Sequence, residues 1–179
     1  MIYNLLPSDS PSLFVKLPEI TPEEIKEKYN LTIQELYDNL KGTMAATGGI
    51  GLSANQVGLS IRAFVMYTNF DEKEVEFMLN PKIEAESLDD QVLFTEGCLT
   101  YPFLFLDVKR PNTVKVTYTD INGERQERVW KGLTSRIFQH EYDHMEGKNF
   151  TMWVSKFKLD RGYTKARKKM KKLKREQKK

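Results

Sequence analysis

Both histidines of the chain fall within Gln139-His140-Glu141-Tyr142-Asp143-His144. On a helix, residues four apart stand one turn from each other and about 40° apart in angle, so His140 and His144 share a face. Two imidazoles so arranged can hold one metal ion. Glu141 follows the first histidine directly and can reach a water at that ion without being a ligand. Metal-activated water needs a base or proton carrier beside it, and a carboxylate serves. The competing reading is a helix with polar residues on a half-exposed face, because HExxH is short enough to arise by chance. Spending the only two histidines at a ligand spacing favours the metal.

Two histidines leave a metal short of donors. A structural zinc site closes with four protein ligands, whereas a catalytic one keeps a position for water. Cys98 is the only thiol, and a lone cysteine is by default a small buried hydrophobe. It lies between Gly97 and Leu99, with Pro102 downstream, where a strand edge can present a side chain. If it joins the histidines, the set is one sulfur and two nitrogens with an open fourth position, and the thiol is deprotonated. A second stretch, Gly48 to Gly58, is rich in glycine but lacks the lysine of a phosphate-binding loop. No strand precedes it, so the dinucleotide fingerprint fails as well. What remains is tight backbone, small side chains and one amide, Gln56: a structural turn, or bare backbone that approaches a ligand.

The elements that must position these residues are legible. Residues 1 to 20, with three prolines, read as an irregular arm with short extended pieces. Thr21-Pro22-Glu23-Glu24 and Thr32-Ile33-Gln34-Glu35 are capping boxes that open two helices, the second ended by Thr47-Gly48-Gly49. Strands are expected over 62–67, 75–79 (stopped by Asn80-Pro81), 92–94, 103–108, 113–119 and 125–131, the last two joined at Asn122-Gly123. A further helix is expected from Leu133 to Met145, terminated at Gly147. This pattern predicts an α+β fold, antiparallel strands packed around a central HExxH helix.

Composition bounds the rest. Apolar residues make up 40% and charged residues 30%, ordinary for a globular chain of one domain. No apolar run is long enough to span a membrane. The N-terminus lacks the pattern of a secretion signal, and one cysteine excludes an internal disulfide, so the expected home is the cytoplasm. Residues 156–179 hold 13 basic and 2 acidic residues, against 15 and 23 in residues 1–155. We therefore expect a catalytic domain over 1–155 and a basic C-terminal extension over 156–179, helical from Tyr163. A solvated helix is one reading of the extension; docking onto a polyanion such as RNA is the other.

Three segments, in order, resemble the motifs of the peptide deformylase family. Gly49-Ile50-Gly51-Leu52-Ser53-Ala54-Asn55-Gln56 is similar to its glycine motif. Glu96-Gly97-Cys98-Leu99-Thr100 is similar to its second, and Gln139 to His144 to its third. Ser53 stands where alanine is usual, Thr100 stands where serine is usual, and the arm before Thr32 departs from the family's pattern. The resemblance implies a metal-dependent hydrolase that removes the N-formyl group from formyl-methionine of nascent polypeptides, releasing formate. It implies that Cys98, His140 and His144 hold the metal and that Glu141 carries the water's proton to the leaving nitrogen. The Gln56 amide and the Leu99 backbone N–H would donate to the developing oxyanion.

The same resemblance implies that backbone at Ile50 and Gly51 pairs with an extended substrate, which a side chain at Gly51 would hold away. Ile50, Leu99, Leu133 and Ile137 would line the methionine pocket, with Arg136 at its rim or solvated. Glu96 and Arg110 would form a structural ion pair, and Asp143 would anchor the helix. Fe²⁺ is the family's physiological ion, with Zn²⁺ or Ni²⁺ as replacements. The polyanion for the tail would then be the ribosome or its RNA. The alternatives are a zinc metallopeptidase, whose third histidine would fall where Phe150 stands, and a non-enzymatic RNA- or ribosome-binding module with a structural metal.

Overall fold

A computed structural model describes residues 1–176; residues 177–179, the end of the basic extension, lie outside the described residues. Helices α1 (Pro22–Tyr29) and α2 (Ile33–Thr47) begin at the two capping boxes. Glu24 and Glu35 each reach back to the N-cap amide, both at 2.8 Å. Gly48, at φ 70°, ends α2 in the left-handed turn that glycine adopts without cost. Leu36, Leu40 and Met44 form the buried stripe of α2. They pack on residues of β1 (Gly51–Ser53), β2 (Ala63–Asn69) and β3 (Glu74–Glu86).

The chain continues through β4 (Gln91–Cys98), β5 (Tyr101–Pro111), β6 (Thr113–Thr119), β7 (Arg125–Lys131), α3 (Gly132–Met145) and α4 (Lys156–Glu176). The strands form an antiparallel five-stranded sheet in the order β1-β2-β3-β6-β7 and a separate β4-β5 hairpin. The class is α+β.

Asn80-Pro81 does not stop β3, as the sequence suggested. Asn80 turns to φ 50°, and the register with β6 shifts between Leu79 and Lys82. That bulge takes the proline, which has no N–H, out of the ladder and lets the strand run on. The Asn80 side chain also grips both backbone groups of Ile20, at 3.0 and 2.9 Å, and so ties the N-terminal arm to the sheet.

Ten of the fourteen residues of α3 are buried. Ile137, Phe138 and Met145 pack on Phe64, Met66, Met78, Val116 and Tyr118 of the large sheet. The opposite side of the helix meets the hairpin through charge. Glu96 on β4 accepts from Arg110 at 2.7 and 3.1 Å, from Arg136 at 2.9 Å and from His140 at 2.9 Å. Arg110 also reaches Asp143 at 2.8 Å, and Asp143 accepts from the Trp153 indole at 2.7 Å. Burial pushes the Glu96 carboxyl up, but His140 and Arg110 override it and hold the group far below the usual carboxylate range.

The final helix begins at Lys156, a turn and more before the expected Tyr163, and it is not solvated all round. Gly162 and Ala166 are buried, and Leu159, Tyr163 and Ala166 cover Leu104, Leu106 and Phe150. The sequence concealed this because one small, glycine-containing stripe is all that docks.

Removing one partner from a buried ion network leaves the others uncompensated. Glu96→Ala is therefore expected to cost about 3–5 kcal/mol of stability. Urea unfolding reads this as a lower midpoint at unchanged slope, and a loss under about 1 kcal/mol would show that the network does not hold the hairpin to the helix.

Candidate metal centre and substrate cleft

Three polar side chains from two elements converge at the buried end of a cleft. Cys98 ends β4, and His140 and His144 come from α3; one ligand atom from each lies within 4.8 Å of the others. Cys98 Sγ stands 3.5 Å from His144 Nε2. Donors bound tetrahedrally at about 2.3 Å for sulfur and about 2.0 Å for nitrogen sit about 3.6 Å apart, so this spacing fits a shared ion. The donor chemistry fits too. Glu96 is an acceptor only, so His140 Nδ1 donates to it and Nε2 is left as the ring's lone-pair nitrogen.

Burial pushes the Cys98 thiol up, yet the neighbouring His144 and His140 bring it well below its ordinary value. Burial lowers His140, but Cys98 and Glu96 raise it well above the ordinary imidazole. The thiol and the ring thus shift in opposite directions, each favouring the charged form of the other. Two buried atoms beside the cluster, His144 Nδ1 and Glu141 Oε2, have no hydrogen-bond partner among the described residues. Glu141 is pushed up to about 7, first by burial, against the lowering effect of the two histidines.

The glycine turn supplies the opposite wall. Gln56 is held at both ends of its amide: Oε1 accepts from Ser53 N at 3.0 Å and Ser53 Oγ at 2.9 Å, while Nε2 donates to Thr100 at 2.9 Å and Cys98 Sγ at 3.3 Å. The neighbouring Asn55 donates to the His144 carbonyl at 2.8 Å, joining the turn to α3. A Cβ at Gly51 would lie 2.5 Å from Glu141 Oε1, so the glycine makes room for that carboxylate.

The cleft has a volume of about 780 Å³, and Gln56, Cys98, Leu99, His140 and Glu141 all border it. Ile50, Gly51, Leu133, Arg136 and Ile137 line it as well. Ile50 and Leu133 are exposed along it, and Ile137 is buried at its base. Arg136 is neither at a rim nor solvated: it is buried, with its guanidinium on Glu96, the Val108 carbonyl at 3.0 Å and the Val92 carbonyl at 2.6 Å. Three acceptors fixed by the hairpin outweigh the hydration of a surface arginine.

Sequence reasoning missed Asn55, and it missed three residues on the far wall, Phe103, Phe105 and Lys169. The aromatics read only as β-formers, and Lys169 lay hidden in a run of basic residues. Position 150, where a metzincin would need its third histidine, is a fully buried phenylalanine packed on Tyr101 and His140.

Comparison with known proteins agrees with this arrangement. The family model described as polypeptide deformylase matches residues 3–160. The chain is 42% identical over 121 residues to the peptide deformylase 1B, chloroplastic/mitochondrial, of Arabidopsis thaliana, covering 66% of this chain and 44% of that protein. It is thus similar to less than half the length of that plant relative. Against the peptide deformylase of Pelagibacter ubique it is 40% identical over 127 residues, covering 70% of this chain and 73% of the other. The crystal structure of a peptide deformylase from Legionella pneumophila superposes with a TM-score of 0.83 at 30% identity, over 97% of this chain and 98% of that one. With a family model spanning nearly its whole length and motifs that meet at one cluster, the chain belongs to the polypeptide deformylase family.

Proposed function

We propose that this chain is a metal-dependent peptide deformylase, which hydrolyses the N-formyl group of formyl-methionine at the start of new polypeptides and releases formate. The observation that carries the reading is the meeting of Cys98, His140 and His144 beside the unpartnered Glu141 carboxylate, at the buried end of the cleft. Those three residues would hold the ion. We assign Fe²⁺, with Zn²⁺ or Ni²⁺ as replacements, since thiolate and imidazole suit all three. When bound, such an ion supplies Lewis acidity, polarising a carbonyl and acidifying water near neutral pH.

The chain's own residues do the rest. Glu141 accepts the water's proton and returns it to the departing nitrogen; a carboxylate raised to about 7 suits both halves of that task. The Gln56 amide, clamped by Ser53 and Thr100 with its N–H toward the Cys98 sulfur, is assigned to the formyl oxygen as negative charge develops, together with the Leu99 backbone N–H. β1 is the edge strand of the large sheet, so Ile50 and Gly51 can receive the substrate backbone as an added strand. Leu99, Leu133 and Ile137 form the apolar wall for the methionine side chain.

We read residues 1–155 as the catalytic unit and 156–179 as a basic extension whose first turns also complete the core. Its outer face, where Lys171, Lys172 and Arg175 border one groove, is the surface we assign to the ribosome or its RNA. No helix among the described residues is long and apolar enough to cross a membrane. A cytoplasmic setting suits an essential thiolate.

Formate release from formyl-Met-Ala-Ser by metal-loaded protein tests the activity. Glu141→Ala, with metal retained, is expected to lower turnover by about a hundredfold or more. Internal peptide cleavage in place of formate would favour a peptidase, and no product at all would end the proposal. The docking surface is tested separately. Truncation near Ser155 would strip the cover from Leu104 and Leu106, so charge reversal of Lys171, Lys172 and Arg175 is the cleaner variant. Ribosome co-sedimentation at low salt is expected to fall about tenfold or more with helicity intact; undiminished co-sedimentation would sink the idea.

A further inference from the structure

The cleft continues past the metal cluster along β5, and its far end carries an unneutralised cation. Resting on the deformylase reading, we infer that Lys169 is a specificity-determining residue that selects an acidic side chain on the peptide downstream of formyl-methionine.

The placement of Lys169 begins with Gly162. A Cβ at Gly162 would lie 2.7 Å from Leu106 Cδ2 and 2.9 Å from Leu104 Cδ1, so glycine lets α4 lie closer to β5 than any larger residue allows. Seven residues further on is almost two full turns, which brings Lys169 round to the same face. Its ammonium lies 5.4 Å from the ring centre of Phe103 and 5.8 Å from that of Phe105. Both rings line the cleft that holds Cys98 and Gln56. Phe105 also covers Gly97, where a Cβ would sit 2.8 Å from its ring, and Gly97 precedes Cys98. A continuous wall therefore runs from the metal cluster through Gly97 and Phe105 to Lys169. Phe103 stands at φ 63°, a conformation a bulky residue rarely takes, next to Pro102.

Charge completes the argument. Arg136, the other strong cation bordering the cleft, is spent on Glu96 and two carbonyls. Glu96 is in turn saturated by Arg110, Arg136 and His140. Lys169 makes no ion pair among the described residues. Two aromatic faces hold its ammonium without neutralising it, and its N–H donors are available to a carboxylate. The outer wall is thus apolar with one positive end, which complements a peptide carrying an acidic residue a short distance from its formylated start.

The test uses the full-length, metal-loaded protein and formyl-Met-Ala-Ala-Ala amide, so that no terminal carboxylate intervenes. Aspartate or lysine is placed in turn at the second, third and fourth positions. At one position at least, kcat/KM for aspartate is expected to exceed that for lysine by about three- to tenfold, the range of an exposed charge pair counted for attraction and repulsion. The difference is expected in KM and is expected to shrink in high salt. Lys169→Met should bring the ratio near one and Lys169→Glu should invert it. Lys174→Met, exposed on α4 and bordering neither the cleft nor the outer groove, should leave the ratio as in the wild type.

A ratio near one at every position in the wild type overturns the inference. So does a uniform loss on all peptides with the ratio kept in Lys169→Met, which a merely structural contact would produce. An equal shift in Lys174→Met would assign the effect to the field of the whole helix and overturns it too. Absence of formate even from the neutral parent peptide would bring down the deformylase reading, and this inference with it.

Discussion

One carboxylate sets the geometry of the centre. Glu96 accepts four hydrogen bonds, from Arg110 twice, from Arg136 and from His140, which is about the full capacity of an ionised carboxyl group. Because it sits on β4 and two of its donors sit on α3, it fixes the rotation of the helix against the hairpin. His140 can then present only Nε2 to the cluster, and His144 follows one turn later on the same face. The register of the hairpin does the remaining work. The pairing of β4 and β5 jumps between Gly97 (opposite Phe105) and Cys98 (opposite Tyr101), and that break brings the sulfur to 3.5 Å from His144. A carboxylate thus joins the two elements that carry the proposed ligands, although it offers no donor to the cluster itself.

The same network explains how so much charge is tolerated among buried residues. Arg110 and Arg136 are balanced by Glu96 and Asp143, each with hydrogen bonds as well as opposite charge. Cys98 and His140 shift in opposite directions for the same reason, each stabilising the ionised form of the other. Glu141 is the exception: one of its oxygens has no partner among the described residues, and burial raises it to about 7. A buried carboxylate with one oxygen unpartnered and its acidity shifted toward neutrality suits the proton-carrying role proposed for it.

Much of this was legible in the chain itself. Capping boxes at Thr21 and Thr32, the turn at Asn122-Gly123 and the histidine spacing are local signals, and local signals survive in sequence. The α+β class followed from them. The features that escaped depend on partners distant in the chain. Nothing about Arg136 alone predicts that carbonyls of Val92 and Val108 await it. Pro81 marked a strand end because proline normally does, whereas here Asn80 absorbs the irregularity as a bulge. The docking face of α4 was invisible because its contacts are made by Gly162 and Ala166 within a run of basic residues, and composition there speaks only of charge.

Two glycines show why a missing methyl can matter more than an added charge. In sequence Gly51 reads as part of a turn and Gly162 as a weak point in a helix. In the fold each is a place where two elements meet at backbone distance, with a hypothetical Cβ at 2.5 Å from Glu141 and at 2.7 Å from Leu106. At Gly51 the closeness presses the carboxylate against β1 and excludes water from that side, which contributes to the burial that raises it. At Gly162 the closeness carries a helix rich in lysine over an apolar strand, so that Lys169 borders the cleft while Lys168, Lys171, Lys172 and Arg175 border a separate groove. Were either residue even an alanine, the elements would have to separate or their side chains repack. The electrostatic character of both ends of the cleft therefore rests on packing, and the ionisable groups act where two hydrogen atoms allow them to stand.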